Sequence, residues 1–187
     1  LLFHSGWSIE RIFRLSFQRM NHLKNAPGAS GPTPTIAPHY MEFVSAVKHL
    51  RALQVRDSIS LSYHEEKGVP QLILHINEED KNREEAKQFA LAVNVEPGKT
   101  RYALAFSSAF NKTDQIQVVT RSLLGIMFYL SQAVEVPRKD ILQGKVTQTK
   151  TPDGKIFDWK EVTGDLLRIS SLSGNRQAES KSIYYRG

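Results

Sequence analysis

Apolar residues recur every three to four positions at the start of the chain: Ile9, Ile12, Phe13, Phe17, Met20 and Leu23, with Arg11, Arg14, Gln18 and Asn21 on or toward the other side. That spacing predicts a helix from Ile9 to about Lys24, with Ser8 as its N-cap. A second helix is predicted over 40–55, with Tyr40, Phe43, Val44, Val47 and Leu50 as its stripe and Leu53 near the edge. Residues 26–38 between the two contain four prolines, which remove helical donors and fix φ, so this stretch is expected to be an extended strap.

The period then shifts to two. Ile59, Leu61 and Tyr63 share one face of SISLSY, and Leu72, Leu74 and Ile76 share one face of QLILHI, with Gly68 between the runs. This pattern predicts a hairpin. Asn77 is a candidate cap for a third helix from Glu78 to about Val93, with Glu78, Glu79 and Asp80 at the positive end of its dipole. Pro97 and Gly98 end it, and Tyr102, Leu104 and Phe106 mark another strand over 101–106.

A short strand over 115–119 then runs, through Thr120 as the expected cap, into a helix with almost no polar position. Leu123, Leu124, Ile126, Met127, Phe128 and Leu130 lie all round it. A helix apolar on every side belongs inside a core, so the stretch near 120–134 is expected to be the central buried helix. Roughly 20 residues are needed to cross a bilayer, and no run of apolar residues here is long enough. After Pro137 the pattern predicts short strands at 145–149 and 156–159, joined by a turn at Thr151–Gly154, and further strands at 165–170 and 182–185.

Helices and hairpins without a regular βαβ beat point to an α+β fold, with antiparallel sheets of short strands packed against about four helices. A chain of 187 residues suits a single domain over 1–187. Its organisation is expected to be a helical part at 1–56, carrying the strap at 26–38, and a mixed part at 57–187. Both ends read as cut from a longer chain, since Leu1 opens on an apolar run and the end at Gly187 interrupts a strand pattern.

The net charge of +6 is unevenly spread. Residues 1–56 hold seven Lys/Arg and two acids, 57–98 hold four and nine, and 99–187 hold fourteen and eight. Ends of one sign around a middle of the other favour complementary contacts with neighbours or an anionic surface.

Candidate chemistry is sparse. There is no cysteine, hence no disulfide, thiolate metal site or thiol nucleophile. Nucleophile-elbow, P-loop and dinucleotide signatures are absent. His39 and His49 are too far apart for a helical metal pair, whereas His64 and His75 are able to approach across the hairpin beside Glu65 and Glu66. Asp153, Asp158 and Glu161 cluster near a turn, where Asp153 is accounted for by turn chemistry. An active site would require two or more of His64, His75, Asp153, Asp158 and Glu161 to converge. The reading assigns no catalytic, cofactor-binding or metal residue, no cofactor, no small-molecule substrate and no nucleic acid, since no RNA-binding signature accompanies the basic ends.

Three stretches also carry a resemblance: SGWSIERIFRLSFQRMNHLKNAPGASGPTP, TRSLLGIMFYLSQAVEVP, and the pair GKIFDW and GDLLRISS behind it. They resemble the C-terminal region of a family of bacterial lipoproteins of uncharacterised function. One member of this type is similar to an accessory subunit of the Dot/Icm (type IVB) secretion outer-membrane core complex. The resemblance covers nearly the whole chain and carries no site residues. It implies an acyl-anchored protein on the periplasmic side of the outer membrane, attached only through an upstream anchor. The expectation is a non-enzymatic structural or accessory subunit of an envelope assembly, partnered by other protein subunits. The alternative is a periplasmic binding module for a glycan or lipid.

Overall fold

A computed structural model describes residues 7–25, 40–66, 69–106, 115–146, 148–150, 154–163, 166–167 and 169–170. The fold is α+β. Its centre is a six-stranded sheet in the order β2-β1-β6-β5-β4-β3. The strands are β1 (Phe17–Met20), β2 (Leu23–Lys24), β3 (Ile59–Glu66), β4 (Val69–Ile76), β5 (Arg101–Ala105) and β6 (Ile116–Thr120). Neighbours are antiparallel except β5 and β6, which pair in parallel through Leu104 with Ile116 and Ala105 with Gln117.

Three helices bring apolar faces to this sheet: α1 (Ile9–Ser16), α2 (Tyr40–Val55) and α3 (Glu84–Ala92). One buried cluster joins Ile9 and Phe13 of α1, Phe43, Val47, Leu50 and Leu53 of α2, and Phe89 of α3 to Leu74, Tyr102, Leu104, Ile116 and Val118 of the sheet. The alternation predicted for 59–63, 72–76 and 101–106 delivers Ile59, Leu74, Ile76, Tyr102 and Leu104 to that cluster and packs Leu61 and Leu72 against it, whereas Tyr63 and Phe106 stay exposed. The helix predicted over 40–55 and the hairpin are present at the expected places, while the strap at 26–38 lies outside the described residues.

The first helix is shorter than its periodicity predicted. It stops at Ser16, and Phe17 turns to extended backbone at φ −97° and ψ 130°. Phe17, Met20 and Leu23 stay buried, but as residues of β1 and β2. The apolar spacing is compatible with both conformations, and pairing of β1 with β6 selects the strand. The stretch expected to be helical thus also supplies two strands, Phe17–Met20 and Leu23–Lys24, to the central sheet.

The third helix also starts later, at Glu84. Before it, the Asn77 carbonyl accepts from the N–H groups of Asp80 and Lys81, each at 3.0 Å, which turns the chain. The Asn77 side chain donates to the Asp57 carbonyl at 3.1 Å and caps nothing. The helix ends at Ala92, before Pro97 and Gly98, as Asn94 takes the left-handed conformation at φ 58°.

Tyr102 is buried against Phe89, edge to face with ring centroids 6.4 Å apart, and its hydroxyl donates to the Glu96 carbonyl at 3.0 Å. Burial raises its pKa above the ordinary tyrosine value, against a smaller lowering by the Lys99 N–H and the Lys99 charge. A raised pKa means that the fold holds the phenol proton more tightly than the unfolded chain does. That contribution is fully present below about pH 10 and is lost as the pH rises through the folded value. Unfolding free energy should therefore fall above about pH 10, and Tyr102→Phe should remove that part of the decline. Identical alkaline profiles for the two proteins would disprove this.

Beyond β6 the chain builds a smaller part. It comprises α4 (Leu123–Ser131), β7 (Val134–Glu135), α5 (Arg138–Leu142), α6 (Lys160–Thr163) and β8 (Ile169–Ser170). The strands expected at 145–149 and 156–159 are represented by one isolated bridge between Lys150 and Ile156, and α5 and α6 are short helices that the pattern after Pro137 did not predict. The turn residues 151–153 and the strand expected at 182–185 lie outside the described residues. A second buried cluster joins Tyr40 and Val44 of α2 to Tyr129, Phe157 and Val162.

Candidate interaction surface

The join between the two parts is polar. Arg121 sits at the end of β6, and its guanidinium donates to the carbonyls of Arg14 at 3.0 Å, Phe17 at 2.7 Å and Asn25 at 2.6 Å. These include carbonyls that α1 leaves without helical partners where it ends, so Arg121 works as a C-cap supplied from elsewhere in the chain. Asn25 reinforces it, donating through Nδ2 to the carbonyls of Arg14 at 2.7 Å and Phe17 at 2.6 Å. Burial pulls the Arg121 pKa down, opposed by Tyr129 and Tyr40. An arginine still keeps its charge under such a shift.

That charge holds α4 in place. The Arg121 Cζ lies 4.3 Å from the centroid of the Tyr129 ring, a cation–π distance. The Tyr129 hydroxyl donates to the Val162 carbonyl at 3.5 Å, and the buried Arg14 reaches the same carbonyl at 2.8 Å. Ser122, rather than Thr120, caps the helix by accepting from the Gly125 N–H at 3.0 Å.

Docking through Tyr129 turns the helix the opposite way from the sequence expectation. Leu123 and Leu124 are each 75% exposed, Met127 is 60% exposed and Phe128 is 49% exposed, whereas Tyr129 is buried. The stretch near 120–134 is thus not a central buried helix. At 100° per residue the four exposed side chains span an arc of about 140°. The helix carries no charged residue. Its polar-tipped tyrosine finds hydrogen-bonding and cationic partners inside, and its aliphatic side chains are left outside. Together they form an exposed apolar patch on α4.

Beside α4, residues 131–136 and 156–160 wall a crevice of about 440 Å³. Ile141, Val146, Phe157 and Trp159 supply its apolar lining, and Gln132 and Gln148 its amides. The Phe157 and Trp159 rings meet edge to face at 4.9 Å, and the Trp159 indole N–H donates to Thr149 Oγ1 at 3.1 Å. Lys160 and Glu135 pair at 3.0 Å on its wall.

The residues weighed for catalysis do not assemble. His64 stands opposite Gln71 and His75 opposite Ser60, so the histidines are four strand positions apart. That is roughly 13 Å along the strand. Asp158 and Glu161 are exposed at the start of α6, where the Asp158 carboxylate accepts from the Lys160 N–H at 2.9 Å. Asp153 lies outside the described residues. Among the described residues no group of three or more His, Asp or Glu side chains is placed to hold a metal ion. One pair escaped the sequence reading: Ser62 Oγ lies 2.7 Å from His75 Nε2, on an exposed part of the sheet. Alternation along neighbouring strands was the signal available for it, since Ser60 and Ser62 share the face of His75. No described carboxylate hydrogen-bonds that imidazole, so the pair is not a triad.

Comparison of the chain with protein-family models, with curated proteins and with solved structures gives no match.

Proposed function

We propose that this chain is a non-enzymatic interaction module, an accessory subunit that joins a larger assembly through α4. The observation that carries the reading is the outward apolar arc of Leu123, Leu124, Met127 and Phe128 on a helix anchored by Arg121 and Tyr129. A rigidly held apolar face loses little conformational entropy when a partner covers it. The resemblance to envelope lipoproteins supports placing that assembly at the periplasmic side of a bacterial outer membrane, in secretion machinery.

The decisive experiment is affinity capture of the full-length protein from detergent-solubilised envelopes, with its companions identified by mass spectrometry. Leu124→Glu and Phe128→Glu should each change the unfolding free energy by less than about 1 kcal/mol, because both sites are exposed. Each should reduce recovery of the same companions by about tenfold or more, as expected when a charge enters an apolar contact. Undiminished capture by both variants would refute the reading, as would a wild-type protein that purifies alone.

The crevice favours the second reading, a module for a small envelope ligand such as a glycan or lipid. Its volume and its mix of aromatic rings and amides suit such a ligand. Under that reading Trp159→Ala, rather than the α4 variants, abolishes thermal stabilisation by peptidoglycan fragments or by lipid.

A further inference from the structure

The two edges of the six-stranded sheet differ in kind. At one end β2 is two residues long and carries Lys24. Shortness and an edge lysine are both devices that stop a sheet from growing. At the other end β3 is eight residues long, and among the described residues β4 is its only strand neighbour. It pairs with β4 through eight successive positions, from Ile59 opposite Ile76 to Glu66 opposite Val69, with no bulge to twist the edge away. Residues 59–65 contain no lysine, arginine or proline. The edge is a regular ladder of roughly 26 Å whose residues 59–63 carry no charge, proline or bulge, the acidic Glu65 and Glu66 falling only at its far end.

We infer that β3 pairs antiparallel with β3 of a second copy of this chain, joining two sheets into one of twelve strands. Such a pair has a two-fold axis perpendicular to the sheet, which keeps each face on its own side, so one residue must stand opposite itself. Leu61 is the position that suits. Ile59 then faces the copy's Tyr63 on the core side, and Ser60 faces the copy's Ser62 on the other side. Tyr63 is 67% exposed in the single chain and shares its face with Ile59 and Leu61, so this pairing covers it. Centring on Ser62 sets Ile59 against the Glu65 carboxylate, and centring on Ser60 leaves Tyr63 beside the turn residue Asp57. The Leu61 register pairs residues 59–63 with no charge among them and brings Asp57 toward Glu65 only beyond the ends of that segment.

The same asymmetry explains why the association stops at two. Among the described strands of the six-stranded sheet each copy has one open edge, and an isologous pair consumes both, whereas the β2 edges are already blunted. A foreign strand would need a matching alternation of apolar and hydroxyl residues, which a second copy supplies by construction. The inference is independent of the α4 reading, since β3 and α4 are separate elements.

The absence of native cysteine makes cross-linking unambiguous. Opposed residues of an antiparallel pair lie about 4.5–5.5 Å apart at Cα, within disulfide range. In the full chain carrying both Ser60→Cys and Ser62→Cys, dissolved oxygen should oxidise the facing thiols to a covalent dimer, with peptide mapping linking position 60 to position 62. Wild type should sediment as a dimer at about 100 µM, and Ser62→Lys should weaken the dimer by about tenfold or more while remaining folded. Leu124→Glu should leave dimerisation unchanged. A wild type that is monomeric at that concentration overturns the inference. So does a dimer that neither cross-links at 60–62 nor responds to Ser62→Lys.

Discussion

Replacing Arg121 by methionine is expected to lower the unfolding free energy by about 3 kcal/mol, within the range for breaking a buried charged interaction. Methionine keeps much of the side-chain length and apolar contact but donates nothing. The carbonyls of Arg14, Phe17 and Asn25 then lose donors at 2.6–3.0 Å in a buried place, and Tyr129 loses its cation. Arg121→Lys should recover only part of the loss, because a single ammonium does not reproduce a planar fork that reaches several carbonyls. Urea titration measures the free energies, and amide exchange locates the effect. Protection should fall most at residues 123–131, whose helix rests on the Arg121–Tyr129 contact. A loss under about 0.5 kcal/mol, the level of an ordinary surface change, would mean that the hub is not a stabilising unit.

Phe89→Ala should cost about 3–5 kcal/mol, the usual range for emptying a large aromatic site in a core. Phe89 is fully buried, packs against Tyr102 and is the largest side chain that α3 places in the core. A helix of nine residues is too short to persist alone in water, so α3 depends on that anchor. A domain has only about 5–15 kcal/mol of stability in total, so the variant should lose a large share of it and unfold at markedly lower urea concentration. Leu91→Ala is the control on the same helix. Leu91 is exposed, and its loss should cost less than about 1 kcal/mol. Equal costs for the two substitutions would contradict the packing described above.

The parts of the fold legible in advance are those whose pattern has one solution. Val47, Leu50 and Leu53 lie at helical spacing in a segment with no competing strand partner, and α2 runs where that spacing placed it. Tyr102 and Leu104 are the large residues that alternate with Arg101, Ala103 and Ala105, and β5 directs both into the core. The stripe from Ile9 to Leu23 had two solutions. Phe17, Met20 and Leu23 are buried in either, and β6, about a hundred residues later, chooses the strand. The interaction surface was less legible still. Arg121 reaches the carbonyls of Asn25, Phe17 and Arg14 across 96 to 107 residues of sequence. Nothing in the local pattern of Arg14, Asn25 or Arg121 distinguishes them from surface polar residues.

The helix α4 shows where the boundary falls. Its composition alone establishes that Leu123, Leu124, Met127 and Phe128 are costly to leave in water, because that cost holds whatever surrounds them. Composition is silent on which of them the fold buries. Burial depends on the direction in which the helix is docked, and Tyr129 sets that direction by meeting Arg121 and the Val162 carbonyl inside. Local periodicity carries the identity of the elements, since it arises from bonds within a few residues. The facing of an element is a property of contacts between distant residues, so it emerges only when the chain is folded.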